Sequence, residues 1–347
     1  MKQRTKLTVG VFFFLSLILL FIWQVYSPKN ISDTKNELFL IEKGQGLLQI
    51  SSDLEKKGII KNDFWLNFYV ILKASQSKLQ AGEYFLNSSM SIAEIANKII
   101  SGNTTKIVIT IPEGWNLRDM GWYFEGKGMF QAEELFELVG FPLIDYSKNT
   151  DLPKPKDFGK EFSFLENKPK SVSLEGYFFP DTYYLQRLES LEGVARKMLE
   201  NFDNKLTQEL REEIGKQEKS IFEIITMASL IEKEVRDFED KKLVSGILWK
   251  RLKNSVPLQV DATIIYITGK KTTRISVKET QINSPYNTYK YRGLPLGPIC
   301  NPGFKSIQAA VYPKSSQYWY YLSTPEGETI FSKTLEEHNI AKAKYLK

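Results

Sequence analysis

The stretch IFEIITMASLIEKEV, Ile221 to Val235, is the most apolar helical segment beyond residue 26. Its apolar residues recur with helical spacing, which predicts a helix inside a hydrophobic core. Near the C-terminal end of the stretch, two acids interrupt the pattern. On a helical wheel Glu232 lies roughly 60° from the centre of the apolar face, whereas Glu234 lies roughly 100° from it. A core helix rarely carries an acid so deep in its apolar face, so Glu232 is the candidate functional carboxyl.

A carboxyl in this position has two interpretations. It is either one half of a structural ion pair, with Arg236, Lys250 or Arg251 as partner, or an unpaired acid. Burial raises the pKa of an unpaired carboxyl, so that it holds a proton near neutral pH. Cleavage of a glycosidic bond requires such a donor, because the leaving oxygen is protonated as the bond breaks. The helix by itself leaves both interpretations open.

Composition narrows the choice of chemistry. The chain has 347 residues, 42% of them hydrophobic, which is enough for two folded domains. The net charge is +6, but no Lys/Arg run or RNA-binding signature occurs, so no nucleic-acid partner is predicted. One cysteine (Cys300) and one histidine (His338) argue against a disulfide framework and against a Cys- or His-ligated metal. We therefore predict no metal and no cofactor, and carboxylates are the candidate catalysts.

The N-terminal part of the chain predicts a membrane anchor. Leu7 to Trp23, LTVGVFFFLSLILLFIW, is uncharged, follows three basic residues and is long enough for a bilayer. A cleaved signal peptide is the alternative, since Val25 and Ser27 imitate a cleavage site. Pro28 would directly follow that cut and hinder it, so an uncleaved span is favoured. The positive-inside rule then leaves the N-terminus in the cytoplasm and exports the rest.

The predicted organisation has five parts. They are a cytoplasmic tail (1–6), a transmembrane helix (7–26), a linker (27–37), a small α+β subdomain (38–103) and a larger domain (104–347). In the small subdomain, Leu38 to Glu42 and the surroundings of Tyr84 are strand-like; Leu47 to Lys57, Asp63 to Lys73 and Ile92 to Ile100 are helical. The polar segment from Tyr146 to Ser173 predicts an exposed insertion in the larger domain.

Three stretches are dense in Pro, Gly, Asn, Asp and Tyr. They are LEGYFFPDTY at 174–183, PLQVDATIIY at 257–266 and SPYNTYKYRGLPLGPICNPG at 284–303. Rigid loops that present aromatic faces, amides and hydroxyls suit a sugar polymer. Ordinary turn chemistry explains any one of these stretches equally well.

Taken in order, LEGYFFPDTY, ASLIEKE, LQVDAT, SPYNTY, GLPLGPICNPG and the EHN at Glu337 to Asn339 resemble the MltG-type (YceG-like) endolytic murein transglycosylases. The resemblance extends from about Leu38 to the C-terminus. It implies an α+β protein with a single N-terminal transmembrane helix, a LysM-like α+β subdomain over 38–103 and a mixed α/β catalytic domain over 104–347.

The resemblance also implies a site. The first acid of the EKE motif, the family's catalytic acid/base, falls on Glu232, the residue that the helical wheel selects independently. The motif positions that imply substrate binding are Glu175, Tyr177, Gln259, Asp261, Ser284, Tyr286, Asn287 and Asn301. The chain departs from the family pattern at Lys250, Val260, Ala262, Leu296 and Thr329. These departures leave Glu232 in place.

The implied reaction is endolytic cleavage of the β-1,4 bond between MurNAc and GlcNAc in nascent glycan strands. Glu232 protonates the leaving oxygen, and its carboxylate then takes the proton of the muramyl C6 hydroxyl, which closes a 1,6-anhydro ring and terminates strand elongation. The implied partners are peptidoglycan glycan strands, the plasma membrane and, as candidates, peptidoglycan synthases. A membrane-anchored peptidoglycan-binding scaffold without catalysis is the alternative. For an unpaired acid, Glu232→Gln is expected to remove cleavage at little cost in stability.

Overall fold

The computed structural model describes residues 2–102, 104, 106–148, 151–186, 189–270, 272 and 274–346, without the side chains of residues 2–8. The fold is of the mixed α+β class. The chain divides into two compact units: Met1–Ile109 with Tyr183–Glu189, and Thr110–Thr182 with Ser190–Lys347. Asn103, at the predicted domain boundary, and the C-terminal Lys347 lie outside the described residues.

The first unit begins with one long apolar helix, α1 (Lys2–Tyr26). Its segment Val9–Tyr26 is long and apolar enough to cross a membrane, and only 6% of that segment is buried. The C-terminal end of α1 differs from the rest, because Val25 is fully buried in the core of this unit and Phe21 packs against the same core.

The remainder of the first unit is a small α+β module. Its elements are β1 (Glu37–Ile41), α2 (Leu47–Lys56), α3 (Asp63–Leu72), β2 (Gly82–Leu86), α4 (Ile92–Ile100) and β3 (Lys106–Thr110), together with β4 (Thr182–Gln186). Strands β1 and β2 pair antiparallel, with Phe39 opposite Tyr84, and β3 pairs with β4. Ser91 starts α4 with a capping box to Glu94. The buried side chains of β1, β2 and the helices form one core.

Residues 27–36 follow the surface of this module. Lys29 Nζ donates a hydrogen bond to the carbonyl of Gly58 at 2.7 Å, and the backbone N–H of Asn30 donates to the carbonyl of Ser88 at 2.9 Å. Asp33 Oδ2 accepts a hydrogen bond from Ser88 Oγ at 2.6 Å. The segment after α1 is therefore held against the module by specific contacts.

The second unit is mainly helical. Its elements are α5 (Leu117–Gly126), α6 (Ala132–Val139), α7 (Leu191–Lys205), α8 (Gln208–Lys216), α9 (Ile221–Glu234), α10 (Phe238–Lys253), α11 (Asp261–Thr268), α12 (Phe304–Val311), β5 (Tyr320–Ser323), β6 (Thr329–Ser332) and α13 (Leu335–Tyr345). Helix α9 is central to this unit and contacts α8, α10, α11 and α12. Strands β5 and β6 form an antiparallel hairpin that contacts α13.

Two segments differ from the sequence-based expectation. The segment from Tyr146 to Ser173 is packed where the structure describes it, because Phe158, Phe162 and Phe164 are buried; the ring of Phe164 lies 5.0 Å from that of Phe202. A few aromatic anchors among many polar residues give no periodic signal. In addition, the LQVDAT stretch is only partly a loop, since Asp261 begins α11.

Candidate active site

Helix α9 carries the candidate carboxyl at its C-terminal end. Ser220 starts the helix with a capping box to Glu223, and every side chain from Ile224 to Ile231 is buried. The middle of this helix is therefore enclosed on all sides, and its position is fixed by the core. Glu232 lies in the last turn, where the negative end of the helix dipole disfavours a second negative charge. A compensating cation is needed there.

Lys241, on α10, supplies that cation. Its Nζ lies 3.1 Å from Glu232 Oε2, and the side chains of Lys241 and Glu232 are only 5% and 9% exposed. Ser306 Oγ, from α12, donates to Glu232 Oε2 at 2.6 Å, and the backbone N–H of Gly303 donates to the same oxygen at 3.0 Å. Lys241 Nζ also donates to Ser306 Oγ at 2.6 Å. Three helices and the loop before α12 thus converge on one carboxyl.

The partner differs from the three basic residues that the sequence suggested. Lys250 donates to backbone carbonyls at Ser316 and Tyr318, and Arg251 donates to those of Trp319 and Leu258. Lys241, Gly303 and Ser306 received no role from the sequence. Lys241 lies nine positions beyond Glu232, across a helix break, so helical periodicity does not pair the two residues.

A turn before α5 adds a second acid to this region. Gly114 has a left-handed backbone (φ +79°), and a Cβ placed on it would lie 3.6 Å from Glu232 Cγ. Lys233 Nζ donates to the carbonyl of Gly114 at 3.2 Å. The exposed Glu113 reaches the loop before α12, because a Cβ placed on Gly303 would lie 2.0 Å from Glu113 Oε1. Glu113 is therefore a neighbour of the Glu232 site that motif reasoning missed.

Asn301 joins the loops around Glu232. Its Oδ1 accepts the N–H of Phe178 at 3.0 Å, and its Nδ2 donates to the carbonyl of Trp115 at 3.1 Å. The backbone carbonyl of Asn301 accepts the N–H of Gly114 at 2.9 Å, and its backbone N–H donates to the carbonyl of Trp115 at 2.7 Å. The fully buried Asn301 thus links the LEGYFFPDTY and GLPLGPICNPG motifs to the turn before α5.

Glu175 is an interior acid. It is 1% exposed; both of its carboxyl oxygens accept the N–H of Leu117 at 3.1 Å, and Oε2 also accepts the Tyr266 hydroxyl at 3.0 Å. Burial raises the pKa of Glu175 to about 8, although these hydrogen bonds oppose the shift. Glu175 occupies the N-terminal end of α5, where an acceptor satisfies a free backbone N–H.

The second acid of the EKE motif has different surroundings. Burial raises the pKa of Glu234 to about 7; a hydrogen bond with Tyr321 and the positive charge of Arg251 lower it, while the charge of Asp261 raises it further. Two positions along a helix turn a side chain by about 200°. Glu232 and Glu234 consequently belong to separate clusters.

The other predicted binding residues divide by exposure. Tyr177, Tyr286, Asn287 and Asn301 are buried. The ring of Tyr177 lies 6.0 Å from that of Phe164, and that of Tyr286 lies 5.2 Å from that of Tyr266. Asn287 Nδ2 donates to the carbonyls of Thr280 and Ile282 at 3.0 and 2.8 Å.

Gln259 and Asp261 are exposed and Ser284 is partly exposed. The hydroxyl of Tyr289 donates to Asp261 Oδ1. None of the eight predicted binding side chains is among the hydrogen-bond partners of the Glu232 carboxyl within the described part of the chain. The residues that hold this carboxyl come instead from α10 and the start of α12.

The described residues give little support to a metal-dependent reaction or to a cysteine nucleophile. No group of three or more His, Cys, Asp or Glu side chains there is arranged to hold a metal ion. Cys300 is fully buried, its Sγ lies 3.3 Å from the carbonyl of Ser229, and burial raises the pKa of its thiol. A raised pKa and burial both disfavour a nucleophilic thiolate.

Comparison with known proteins identifies the family. Residues 39–344 match the model of the YceG-like family. An endolytic murein transglycosylase of Bacillus subtilis is 35% identical over 313 residues, which cover 88% of this chain and 84% of that protein. One from Streptococcus pneumoniae D39 is 30% identical over 86% of this chain and 56% of its own length. The crystal structure of a YceG-like protein from Listeria monocytogenes is similar with a TM-score of 0.58 at 32% identity, covering 89% of this chain and 99% of that one. The chain belongs to the YceG-like family.

Proposed function

We propose that this protein is an endolytic murein lytic transglycosylase with Glu232 as its catalytic acid/base. The names of its relatives support the activity. One observation supports the residue: all three hydrogen bonds to the Glu232 carboxyl end on Oε2. Oε2 is the anchored oxygen, and Oε1 is left to carry a proton to and from a substrate. This division of labour suits a general acid that must also act as a base.

The proposed reaction uses one carboxyl in two steps. Glu232 Oε1 first delivers a proton to the leaving glycosidic oxygen between MurNAc and GlcNAc. The carboxylate that remains is stabilised by the Lys241 ammonium at 3.1 Å and by the Ser306 hydroxyl at 2.6 Å. It then removes the proton of the C6 hydroxyl on the same muramyl unit, whose oxygen attacks C1 and closes the 1,6-anhydro ring. The proton that Glu232 gave is thereby recovered, and no water is consumed.

Because Glu113 lies near Glu232, hydrolysis is the reaction that has to be distinguished from transglycosylation. A glycosidase that uses water needs a second carboxyl at a defined separation from the acid. Glu234 belongs to a different cluster, but Glu113 reaches Gly303, the residue whose N–H binds Glu232. We infer that Glu113 contacts the sugar chain beside the reacting bond. In a transglycosylase it binds or orients substrate, whereas in a hydrolase it would activate water.

We propose two roles for the remaining motif residues, according to their exposure. Gln259, Asp261 and Ser284 are accessible, so we propose them as direct contacts of the glycan. The buried set, Glu175, Tyr177, Tyr286, Asn287 and Asn301, has little surface to offer a ligand. Direct contact through these five side chains would require the loops to move. The burial of all five, and the hydrogen bonds of Glu175, Asn287 and Asn301, support a role in shaping the loops that meet the substrate.

The proposed setting is the outer face of the plasma membrane. Helix α1 would be a single-pass anchor with residues 1–6 in the cytoplasm and the rest outside. The antiparallel pairing of β1 with β2 in a core of their own supports a separate module, which we assign to the LysM-like subdomain over 38–103. We propose nascent peptidoglycan strands as substrate and peptidoglycan synthases as candidate partners. Such cleavage would terminate strand elongation.

Product analysis tests the function. Purified protein and its Glu232→Gln variant are incubated with uncrosslinked glycan strands, and the fragments are analysed by mass spectrometry. Fragments that end in 1,6-anhydro-MurNAc, absent with the variant, are expected. Reducing ends made by the wild type but not by Glu113→Gln would establish a hydrolase instead. Glycan binding without cleavage by the wild type would establish the scaffold.

A further inference from the structure

Helix α3, in the first unit, has an apolar face that stays largely exposed in the described part of the chain. Phe64, Phe68, Ile71 and Leu72 are 56%, 43%, 52% and 65% exposed. Their spacing places them along one side of the helix, while Leu66, Tyr69 and Val70 on the other side are buried in the core of the module. Single exposed apolar residues are common, but a contiguous patch of this kind marks an interaction surface.

This face is continuous with the proposed membrane anchor. The ring of Phe21, in α1, lies 5.4 Å from that of Phe68 in an edge-on contact and 6.2 Å from that of Trp65. The ring of Tyr26, at the end of α1, lies 6.4 Å from that of Tyr69. Phe21 precedes Tyr26 by five residues, which is about 7.5 Å along a helix axis. Helix α3 therefore lies beside the last turn and a half of α1.

The packing of α3 against α1 determines how deep α3 lies relative to the bilayer. A helix needs about 20 residues to cross the hydrocarbon core of a bilayer. A span that uses α1 up to Tyr26 has Phe21 below the membrane surface, and the contact between Phe21 and Phe68 then brings the face of α3 to the same level. The polar side chains of α3 are Asp63 and Asn67, and the helix ends in the apolar residues Val70, Ile71 and Leu72.

The charges around this face also suit a lipid surface. Lys61, just before α3, has its Nζ 5.2 Å from the ring centre of Trp23, and Lys73, just after α3, has its Nζ 4.8 Å from that of Tyr69. Lysines that lie along aromatic rings can extend their ammonium groups to phosphate while their stems stay in an apolar layer. Aromatic rings are themselves enriched at the boundary between headgroups and acyl chains.

We propose that α3 is an interfacial membrane helix that inserts Phe64, Phe68, Ile71 and Leu72 into the outer leaflet of the bilayer that α1 spans. The inference rests on the proposed anchor. The lipid partner is an anionic phospholipid surface, in which Lys61 and Lys73 meet the headgroups. The first unit is then held flat against the membrane by two helices, rather than suspended from one span by a free tether.

Depth measurements on the full-length protein test this. Because Cys300 is fully buried, single cysteines introduced elsewhere can carry a nitroxide label. Phe68→Cys and Ile71→Cys report on α3. Leu15→Cys, within the span, is the lipid reference, and Glu209→Cys, exposed on α8, is the water reference. Each protein is reconstituted in vesicles of phosphatidylcholine and phosphatidylglycerol, and nitroxide collisions with oxygen and with a nickel chelate are measured.

Labels at positions 68 and 71 are expected to behave like the label at Leu15, with oxygen collisions favoured severalfold more strongly than at Glu209. If they match Glu209 while Leu15 reports lipid, the face of α3 lies in water and the inference is wrong although the anchor stands. If Leu15 also reports water, the anchor fails and the inference fails with it. Immobile labels shielded from both reagents would mean that a second copy of the chain covers the face, which contradicts lipid insertion.

Discussion

Lys241 and Glu232 form an ion pair that is almost completely removed from solvent: 3.1 Å separates Lys241 Nζ from Glu232 Oε2, and the two side chains are 5% and 9% exposed. Removing one member of such a pair leaves an uncompensated charge in a medium of low polarity. Glu232 is therefore an ion-pair partner, and to act as the proposed general acid its carboxyl must first carry a proton on Oε1. All three hydrogen bonds to this carboxyl end on Oε2, and the proposed proton transfer uses Oε1.

This pair changes the expected stability of Glu232→Gln. For an unpaired acid the substitution would cost little, but here it leaves the Lys241 ammonium buried without a counter-charge. We expect a loss of about 3–5 kcal/mol in the free energy of unfolding, as for other broken buried pairs. Release of anhydro-muramyl products should fall by about 100-fold or more, because a general acid contributes at least that much. Chemical denaturation and mass spectrometry of products measure the two effects separately.

A double-mutant cycle separates charge from catalysis. Lys241→Met alone should destabilise the protein about as much as Glu232→Gln, whereas Glu232→Gln with Lys241→Met should recover most of the stability, since no buried charge then remains. The double variant should stay inactive. A double variant no more stable than either single one would show that the pair contributes little. Recovered cleavage in the double variant would remove Glu232 from the mechanism.

The site shows what sequence can predict here and what it cannot. Ser91, Ser220 and the apolar periodicity of α9 are local signals, and the observed helices begin at the residues that follow these serines. The environment of Glu232 is not local. It depends on Lys241 and Ser306, which lie nine and 74 positions away. Only the packing of α10 and α12 against α9 brings them together.

Burial is the other property that motif composition did not reveal. SPYNTY and LEGYFF look like exposed carbohydrate-binding loops, because Tyr, Asn and Glu are polar or amphipathic. In the structure Tyr177, Tyr286 and Asn287 are at most 1% exposed. The Asn287 amide donates to two interior carbonyls, and the rings of Tyr177 and Tyr286 pack on other rings, because a rigid loop needs internal partners as much as a binding loop needs external ones. Composition alone does not separate these two needs.

Gly303→Ala tests the role of Glu113. The backbone at Gly303 (φ −71°) suits any residue, but the new Cβ would lie 2.0 Å from Glu113 Oε1 and displace that carboxylate. Because the side chain of Glu113 is exposed and its carboxylate can move aside, the free energy of unfolding should change little. Product release should fall by roughly tenfold to a hundredfold, the effect of a misplaced group at a reacting centre.

The matched control is Glu113→Ala combined with Gly303→Ala. If Glu113 acts only through its position, the double variant should equal Glu113→Ala alone, and both should be impaired. Full activity in Glu113→Ala would instead exclude Glu113 from the site, and any loss in Gly303→Ala would then reflect the hydrogen bond from Gly303 N to Glu232.

Topology is tested by fusions. A reporter that is active only outside the cytoplasm, placed after Lys347, should be active, and the protein should sediment with membranes. The reason is the arrangement of Lys2, Arg4 and Lys6 before a single apolar span. A mature N-terminus at Pro28, found by N-terminal sequencing, would show a cleaved signal peptide and contradict the anchor.

Glu175 predicts a pH dependence of stability. Burial raises the pKa of Glu175 in the folded state from 4.5 to about 8. Between these two pH values the unfolded chain has lost the proton that the folded state still holds on Glu175. The contribution of Glu175 to the free energy of unfolding should therefore be largest at or below about pH 4.5 and should decrease up to about pH 8. Glu234, with a pKa of about 7, adds a contribution of the same sign over a narrower range. Thermal unfolding followed at a series of pH values measures the slope.

Glu175→Gln isolates this group. The amide imitates the protonated carboxyl, so it can keep its contacts with Leu117 N and the Tyr266 hydroxyl while its ionisation is abolished. The variant should match the wild type in acid and be more stable than the wild type near pH 8, where the native carboxyl is forced to ionise in the interior. A variant whose stability decreases as steeply with pH as that of the wild type would show that Glu175 is ionised in the folded protein, with Tyr266 and Leu117 as sufficient partners for the charge.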